Sequence, residues 1–191
     1  MTVAIIQART SSKRFPNKVM KIVGGRRLIS FVFDRAKASK KIDKIYIAIS
    51  TSKKDDKLAN YCKKKKYSFY RGELKNVLGR YCSLIKKKKL LTLVRINGDS
   101  PCIDPKLIDK AIGIFKKKKC DIVTNVLSRT YPKGVSVEVI NSKLLLDINT
   151  KNLKNFDREH VTSFFYKNKK NFKIVNFKNK KDYSKFTLAV D

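Results

Sequence analysis

Val3-Ala4-Ile5-Ile6-Gln7 runs straight into Ala8-Arg9-Thr10-Ser11-Ser12-Lys13-Arg14-Phe15-Pro16-Asn17-Lys18, and this junction decides the fold. The first segment is short, apolar and rich in β-branched residues, which reads as a strand. The second is a basic loop. From Leu28 to Lys37, the positions Leu28, Phe31, Val32 and Arg35 fall at helical spacing, so the unit is strand, loop, helix.

The alternation continues outward from that unit. Lys44 to Ile49 reads as a strand, and Asp55 to Lys63 as a helix with acidic residues in its first turn. Tyr67 to Tyr70 reads as a short strand, Val77 to Lys87 as a helix, and Leu90 to Ile96 as a buried strand. Asp104-Pro105 supplies an N-cap and a proline at the first helical position, for a helix reaching about Phe115. Asp121 to Thr124 and Val135 to Ile140 follow as strands. Ser142 is expected to cap a short helix, and Arg158 to Asn168 to form another. Lys173 to Phe177 and Thr187 to Val190 complete the pattern as strands. Strands separated by helices of this length imply an α/β fold: a doubly wound, mostly parallel sheet with helices on both faces. With 191 residues and no linker or repeat, a single domain spanning 1-191 is expected.

Composition excludes several classes. Hydrophobic residues make up 42% of the chain, yet no apolar run approaches the roughly 20 needed to span a membrane. The N-terminal apolar run is too short for a signal-peptide core and lacks a basic segment before it, so a cytoplasmic protein is expected. Cys62, Cys82, Cys102 and Cys120 show no C-x-x-C spacing and read as reduced thiols. The formal charge of +32 resembles a nucleic-acid footprint. Most of it is lysine, however, in runs such as Lys63 to Lys66, Lys86 to Lys89 and Lys116 to Lys119, each at the end of a helical pattern. Lysine there complements the helix dipole and solvates the surface, so no specific nucleic-acid partner is expected.

In open α/β sheets, ligands bind beyond the strands' carboxyl ends. The loop after the first strand would therefore offer Arg9, Lys13, Arg14 and Lys18 to a triphosphate, with hydroxyls and amides filling the remaining acceptor sites. A basic loop is also compatible with solvated surface. Neither G-x-G-x-x-G nor G-x-x-x-x-G-K-[ST] occurs, which excludes the Rossmann and Walker phosphate loops. Arg95-Ile96-Asn97-Gly98-Asp99-Ser100-Pro101 follows the buried strand and puts Asp99 at the same edge. A carboxylate there suits Mg2+, with phosphates and water as further ligands, and a plain turn aspartate is the competing reading. His160 is the only histidine, and a lone helical histidine is often structural.

Five segments occur in order: Ala8 to Lys18, Arg71-Gly72, Val77-Leu78-Gly79-Arg80-Tyr81, Asn97-Gly98-Asp99-Ser100-Pro101 and Arg158-Glu159-His160-Val161-Thr162. Together they resemble the CMP-sugar-acid cytidylyltransferases (acylneuraminate and ketodeoxyoctonate cytidylyltransferase-like), within them the spore coat polysaccharide biosynthesis protein F branch, over nearly the whole chain. The resemblance implies the nucleotide-diphospho-sugar transferase fold and transfer of CMP from CTP to a sugar acid. It implies that Ala8, Arg9, Ser11, Ser12, Arg14, Lys18, Asn97 and Asp99 bind the nucleotide, with Arg14, Lys18 and Asp99 catalytic. It further implies that Arg71, Arg80, Glu138, Arg158 and His160 contact the sugar, that Asp99 and Asp191 hold Mg2+, and that a homodimer forms through Val135 to Lys167. Three departures stand out: Ser11 where glycine is usual, Ser136 where aspartate is usual, and a chain that stops at Asp191 where a closing helix would follow. Competing expectations are another sugar nucleotidyltransferase or glycosyltransferase of similar fold, and a degenerate CTP-binding relative.

Overall fold

The computed structural model describes residues 1–12 and 14–190. β1 (Thr2–Gln7) is followed, after the loop and a 3-10 turn at Lys18–Met20, by a small hairpin of β2 (Ile22–Val23) and β3 (Arg26–Arg27). Then come α1 (Leu28–Lys37), β4 (Lys44–Ser50), a 3-10 turn at Lys53–Asp55, α2 (Asp56–Lys64), β5 (Phe69–Gly72), α3 (Val77–Lys88) and β6 (Thr92–Asn97). The second half holds α4 (Pro105–Lys118), β7 (Ile122–Thr124), β8 (Glu138–Asn141), α5 (Ser142–Asn149), α6 (Asn155–Glu159), α7 (Ser163–Lys167) and β9 (Ile174–Asn176).

Seven strands make one sheet in the order β5-β4-β1-β6-β8-β7-β9. All run parallel except β8, which pairs antiparallel with both β6 and β7. From β1 the chain first moves to one side through β4 and β5, then returns to β6 on the other. The order therefore reverses between β1 and β6, the place where such sheets open a crevice for ligands. Alternation along β1 divides the core: Ala4 and Ile6 pack under α1, α2 and α4, while Val3 and Ile5 pack under α3, α5 and α7. Each fully buried Val, Leu or Ile side chain contributes about 1.5–3 kcal/mol of transfer free energy, so both faces are held apolar.

The mostly parallel, two-faced sheet matches the expectation from sequence, and the differences have local causes. Asn141, not Ser142, caps α5 by accepting the Lys143 N–H at 3.1 Å. Ser142 is instead buried and gives its hydroxyl to the Leu91 carbonyl at 2.8 Å. The expected helix from Arg158 to Asn168 is two helices, broken where Val161 takes a φ of 24° to bury its side chain. Thr187 to Val190 is no strand. Its hydrogen bonds are divided between Lys133, reached by Leu188 N–H at 2.7 Å, and Asp99, whose carbonyl accepts from Val190 N–H at 2.9 Å. Gly134, with φ 95°, admits this close approach: a β-carbon there would lie 2.4 Å from the Ala189 nitrogen.

The lysine runs do end helices, and each closes on a left-handed residue: Lys66 (φ 56°), Lys89 (φ 50°) and Lys119 (φ 43°). Glycine occupies such positions without the β-carbon penalty. Lys89→Gly and Lys119→Gly are each expected to stabilise the protein by about 0.5–1 kcal/mol, read as a higher urea midpoint. A lower midpoint would show that these lysines contribute more than chain geometry.

Candidate active site

The carboxyl ends of β1 and β6 lie side by side, with Gln7 opposite Asn97. The chain leaves β6 through Gly98, whose N–H bonds the Gln7 carbonyl at 2.9 Å. A β-carbon at Gly98 would stand 2.9 Å from that carbonyl oxygen and 3.0 Å from the Ala8 β-carbon, so only glycine brings the two segments this close. Above this junction opens a cleft of ≈ 690 Å3. Ala8, Arg9, Ser11, Ser12, Arg14, Lys18, Asn97 and Asp99 all line it, so every residue expected to bind the nucleotide reaches one cavity. His160 lines it as well.

The basic loop is fixed at its base. Thr10 is buried and gives both its N–H (2.6 Å) and its hydroxyl (2.7 Å) to Asp55 Oδ1, while Ser50 at the end of β4 gives its hydroxyl to Asp55 Oδ2. Asn17, at φ 59°, turns the loop back by donating its N–H to the Thr10 carbonyl at 2.8 Å. Farther along, Lys18 Nζ lies 2.7 Å from Asp99 Oδ2, with both side chains largely screened from water. Arg9 bonds Glu159 of α6 at 2.7 Å across the cleft. That pair is about two-fifths exposed on each side and contributes no more than about 1 kcal/mol, so a bound anion can draw Arg9 away at little cost.

Beneath the cleft floor, Arg95 of β6 pairs with the buried carboxylate of Glu138 on β8, which also accepts the Tyr166 hydroxyl. Burial works against the Arg95 charge, but the adjacent Glu138 outweighs it and holds the guanidinium above its usual pKa. Burial, and next the same carboxylate, push the Tyr166 hydroxyl well up. Arg95 Nε also holds Gln7 Oε1 at 3.0 Å.

Several residues expected at the sugar are placed elsewhere. Glu138 is committed to Arg95 and Tyr166 and does not line the cleft. Arg71 lies outside it too, tying down the turn after β4 through the Ser50 carbonyl (3.0 Å), the Ser52 carbonyl (3.1 Å) and Asp56 (2.7 Å). Arg80 is buried and clasps the carbonyls of Ala48, Glu73 and Leu74 at 2.9–3.3 Å, and burial lowers its pKa. It borders only a smaller recess of ≈ 110 Å3 shared with Arg9, Glu159 and His160, and a separate hollow beside α3. Arg158 is absent from the cleft lining. Asp191, expected as a second metal carboxylate, lies outside the described residues. Ser136 accepts from Arg129 at 3.2 Å, away from the cleft.

The cleft also contains residues that reading the sequence did not single out: Gln7, Lys75, Arg95 and Glu159. Gln7 and Arg95 are the ends of segments already recognised. Lys75 follows β5 with no periodic signal of its own.

The cytidylyltransferase family profile matches residues 3–189. The chain belongs to the cytidylyltransferase family. It is a CTP-dependent nucleotidyltransferase of the branch represented by the spore coat polysaccharide biosynthesis protein SpsF of Bacillus subtilis. To that protein it is 35% identical over 165 residues, 84% of this chain and 68% of the relative. A protein of Methanocaldococcus jannaschii is 34% identical over 172 residues, 90% of this chain and 70% of the relative. Among solved structures, a cytidylyltransferase from Leptospira borgpetersenii superposes with a TM-score of 0.95 at 29% identity, covering 100% of this chain and 81% of that one. In this cytidylyltransferase, no described helix is long and apolar enough to cross a membrane. Cys62, Cys82 and Cys120 are buried free thiols and Cys102 an exposed one. Burial pushes Cys62 and Cys82 up to about 12, leaving them protonated and inert at neutral pH.

Proposed function

We propose that this cytidylyltransferase transfers CMP from CTP to a hydroxyl of a sugar acid, for surface polysaccharide or glycoconjugate synthesis in the cytoplasm. The observation that carries the reading is the convergence of the basic loop and Asp99 on one cleft at the β1/β6 reversal. In the proposed reaction, the acceptor oxygen attacks the α-phosphorus of CTP in line, the bond to the bridging oxygen breaks, and pyrophosphate leaves. Arg9, Arg14 and Lys18 neutralise the leaving pyrophosphate, and the loop hydroxyls of Ser11 and Ser12 orient it. Lys75 and His160, which also line the cleft, supply donors for the acid's carboxylate and hydroxyls. The Bacillus relative is a spore coat polysaccharide biosynthesis protein, which supports a sugar substrate.

The residues also fit a divalent cation of the Mg2+ kind. Asp99 offers a carboxylate, and the Asn97 Oδ1, two residues before it, is buried without a hydrogen-bond partner among the described residues. These residues contain no ready cluster of three His, Cys, Asp or Glu, which suits a hard cation that takes its other ligands from phosphates and water. Asp99 and Asn97 would hold it, with Asp191 as the proposed second carboxylate. When bound, Mg2+ would supply charge neutralisation at the α-phosphate. A homodimer through residues 135–167 belongs to the same proposal, and Phe156, 54% exposed in that stretch, supports it.

Pyrophosphate release from CTP, with and without Mg2+, across a panel of ulosonic and nonulosonic acids tests this reading. Metal-dependent release with one acid is expected. Release with neutral sugars only would overturn the sugar-acid assignment, and CTP binding without any turnover would favour the degenerate relative.

A further inference from the structure

We infer that Asp55 is a positioning residue for nucleotide binding, acting through Thr10 on the loop that grips the phosphates. The inference rests on the cytidylyltransferase reading of the cleft. Asp55 is fully buried, is absent from the cleft lining and is read in the sequence as an ordinary helix-start acid. It instead closes a 3-10 turn with its carboxylate aimed back at the end of the sheet. Three donors converge on it: the Thr10 N–H, the Thr10 hydroxyl and the Ser50 hydroxyl. Ser50 is itself fully buried and sits at the carboxyl end of β4, so the carboxylate links the rigid sheet to the loop.

A buried carboxylate demands donor partners, and bonds to a charged acceptor are stronger than neutral ones. Among the described residues no ion pair includes Asp55; the buried Arg80 acts on it only through space. Its charge is therefore satisfied chiefly by holding Thr10. Thr10 is held from both sides, since its carbonyl accepts the Asn17 N–H. Residues 11–12 and 14–17 thus spring from one fixed residue, and Arg14 and Lys18 inherit their placement over the cleft from it. Loosening that anchor disperses the loop before nucleotide arrives, which weakens binding of the phosphates and leaves the acceptor's contacts untouched.

The test compares wild type with Asp55→Ala, Asp55→Asn and Thr10→Val, measuring CTP affinity by titration calorimetry and acceptor KM separately. Asp55→Ala is expected to weaken CTP about tenfold or more with acceptor KM unchanged. Asp55→Asn, which keeps Oδ1 for Thr10 while the Ser50 hydroxyl can turn to accept, is expected to restore affinity to within about threefold. Thr10→Val, which loses only the hydroxyl, is expected to fall between them. Equal rises in CTP Kd and acceptor KM, or no change in a folded Asp55→Ala, would overturn the inference. If Asp55→Ala does not fold, the same split in Thr10→Val decides. Should wild type fail to bind CTP at all, the functional reading fails, and hydrogen exchange of amides 9 to 17 then judges the anchor alone. Faster exchange in Thr10→Val sustains it, and unchanged exchange sinks it.

Discussion

Asp99→Ala is expected to yield a folded protein whose turnover drops by about 10²–10³-fold or more. Folding should survive because the Asp99 side chain makes few structural contacts. Its bond to Ser100 is long, at 3.4 Å, and the segment ending at Val190 is held by the backbone carbonyl, which alanine retains. Its main described partner is Lys18, at 2.7 Å. That pairing gives the prediction a second arm. With Asp99 gone, Lys18 loses a competing carboxylate, so CTP affinity measured in chelator is expected to stay equal or tighten. Turnover supported by Mg2+ should nevertheless collapse, since the cleft has lost the carboxylate in the turn after β6. Near-normal turnover in folded Asp99→Ala would remove this residue from the chemistry, and a loss of CTP affinity in chelator would mean that it organises the loop rather than a cation.

Glu138→Ala is expected to cost about 3–5 kcal/mol of stability, the largest effect among deletions of the described ion pairs. The carboxylate is buried and serves Arg95 and Tyr166 together, and Arg95 is only 13% exposed. Removing the acid takes the charged partner from a largely buried guanidinium and leaves the Tyr166 hydroxyl with Thr124 Oγ1, at 3.1 Å. By contrast Asp34→Ala, which breaks the half-exposed pair with Arg26, should cost no more than about 1 kcal/mol. Urea unfolding of the two variants side by side is the check. A cost below about 1 kcal/mol for Glu138→Ala would show that the Arg95 head group escapes to the cleft, and the floor of the site would have to be redrawn.

The sheet, the helices and the basic loop were legible in the sequence because each rests on local chemistry. Val3 to Gln7 announces a strand through β-branching, and Asp104-Pro105 announces a helix start. The cleft was legible to the same depth, since Ala8 to Lys18 and Asn97 to Asp99 are contiguous segments at strand ends. What escaped depends on partners far away in the chain. The reversed direction of β8 is set by pairing with β6 and β7, which four residues of pattern do not encode. The break at Val161 combines weak helix formers, His160, Val161 and Thr162, with tertiary burial of the Val161 side chain, which local pattern does not show. Arg71, Arg80 and Glu138 carry charges that look available on paper, yet three backbone carbonyls claim Arg80, Arg95 claims Glu138, and the Ser50 turn claims Arg71. Asp55 misled in the opposite sense, because a helix-start acid and a buried loop anchor have the same sequence signature.

The Val190 N–H bond to the Asp99 carbonyl makes the far end of the chain a gauge of the site. That amide exchanges with deuterium when its bond to the Asp99 carbonyl opens. Its protection therefore reports, from a single proton remote in sequence, how firmly the Asp99 turn is held at any moment. A spectroscopist can follow the assembly of the cleft without touching a residue that lines it.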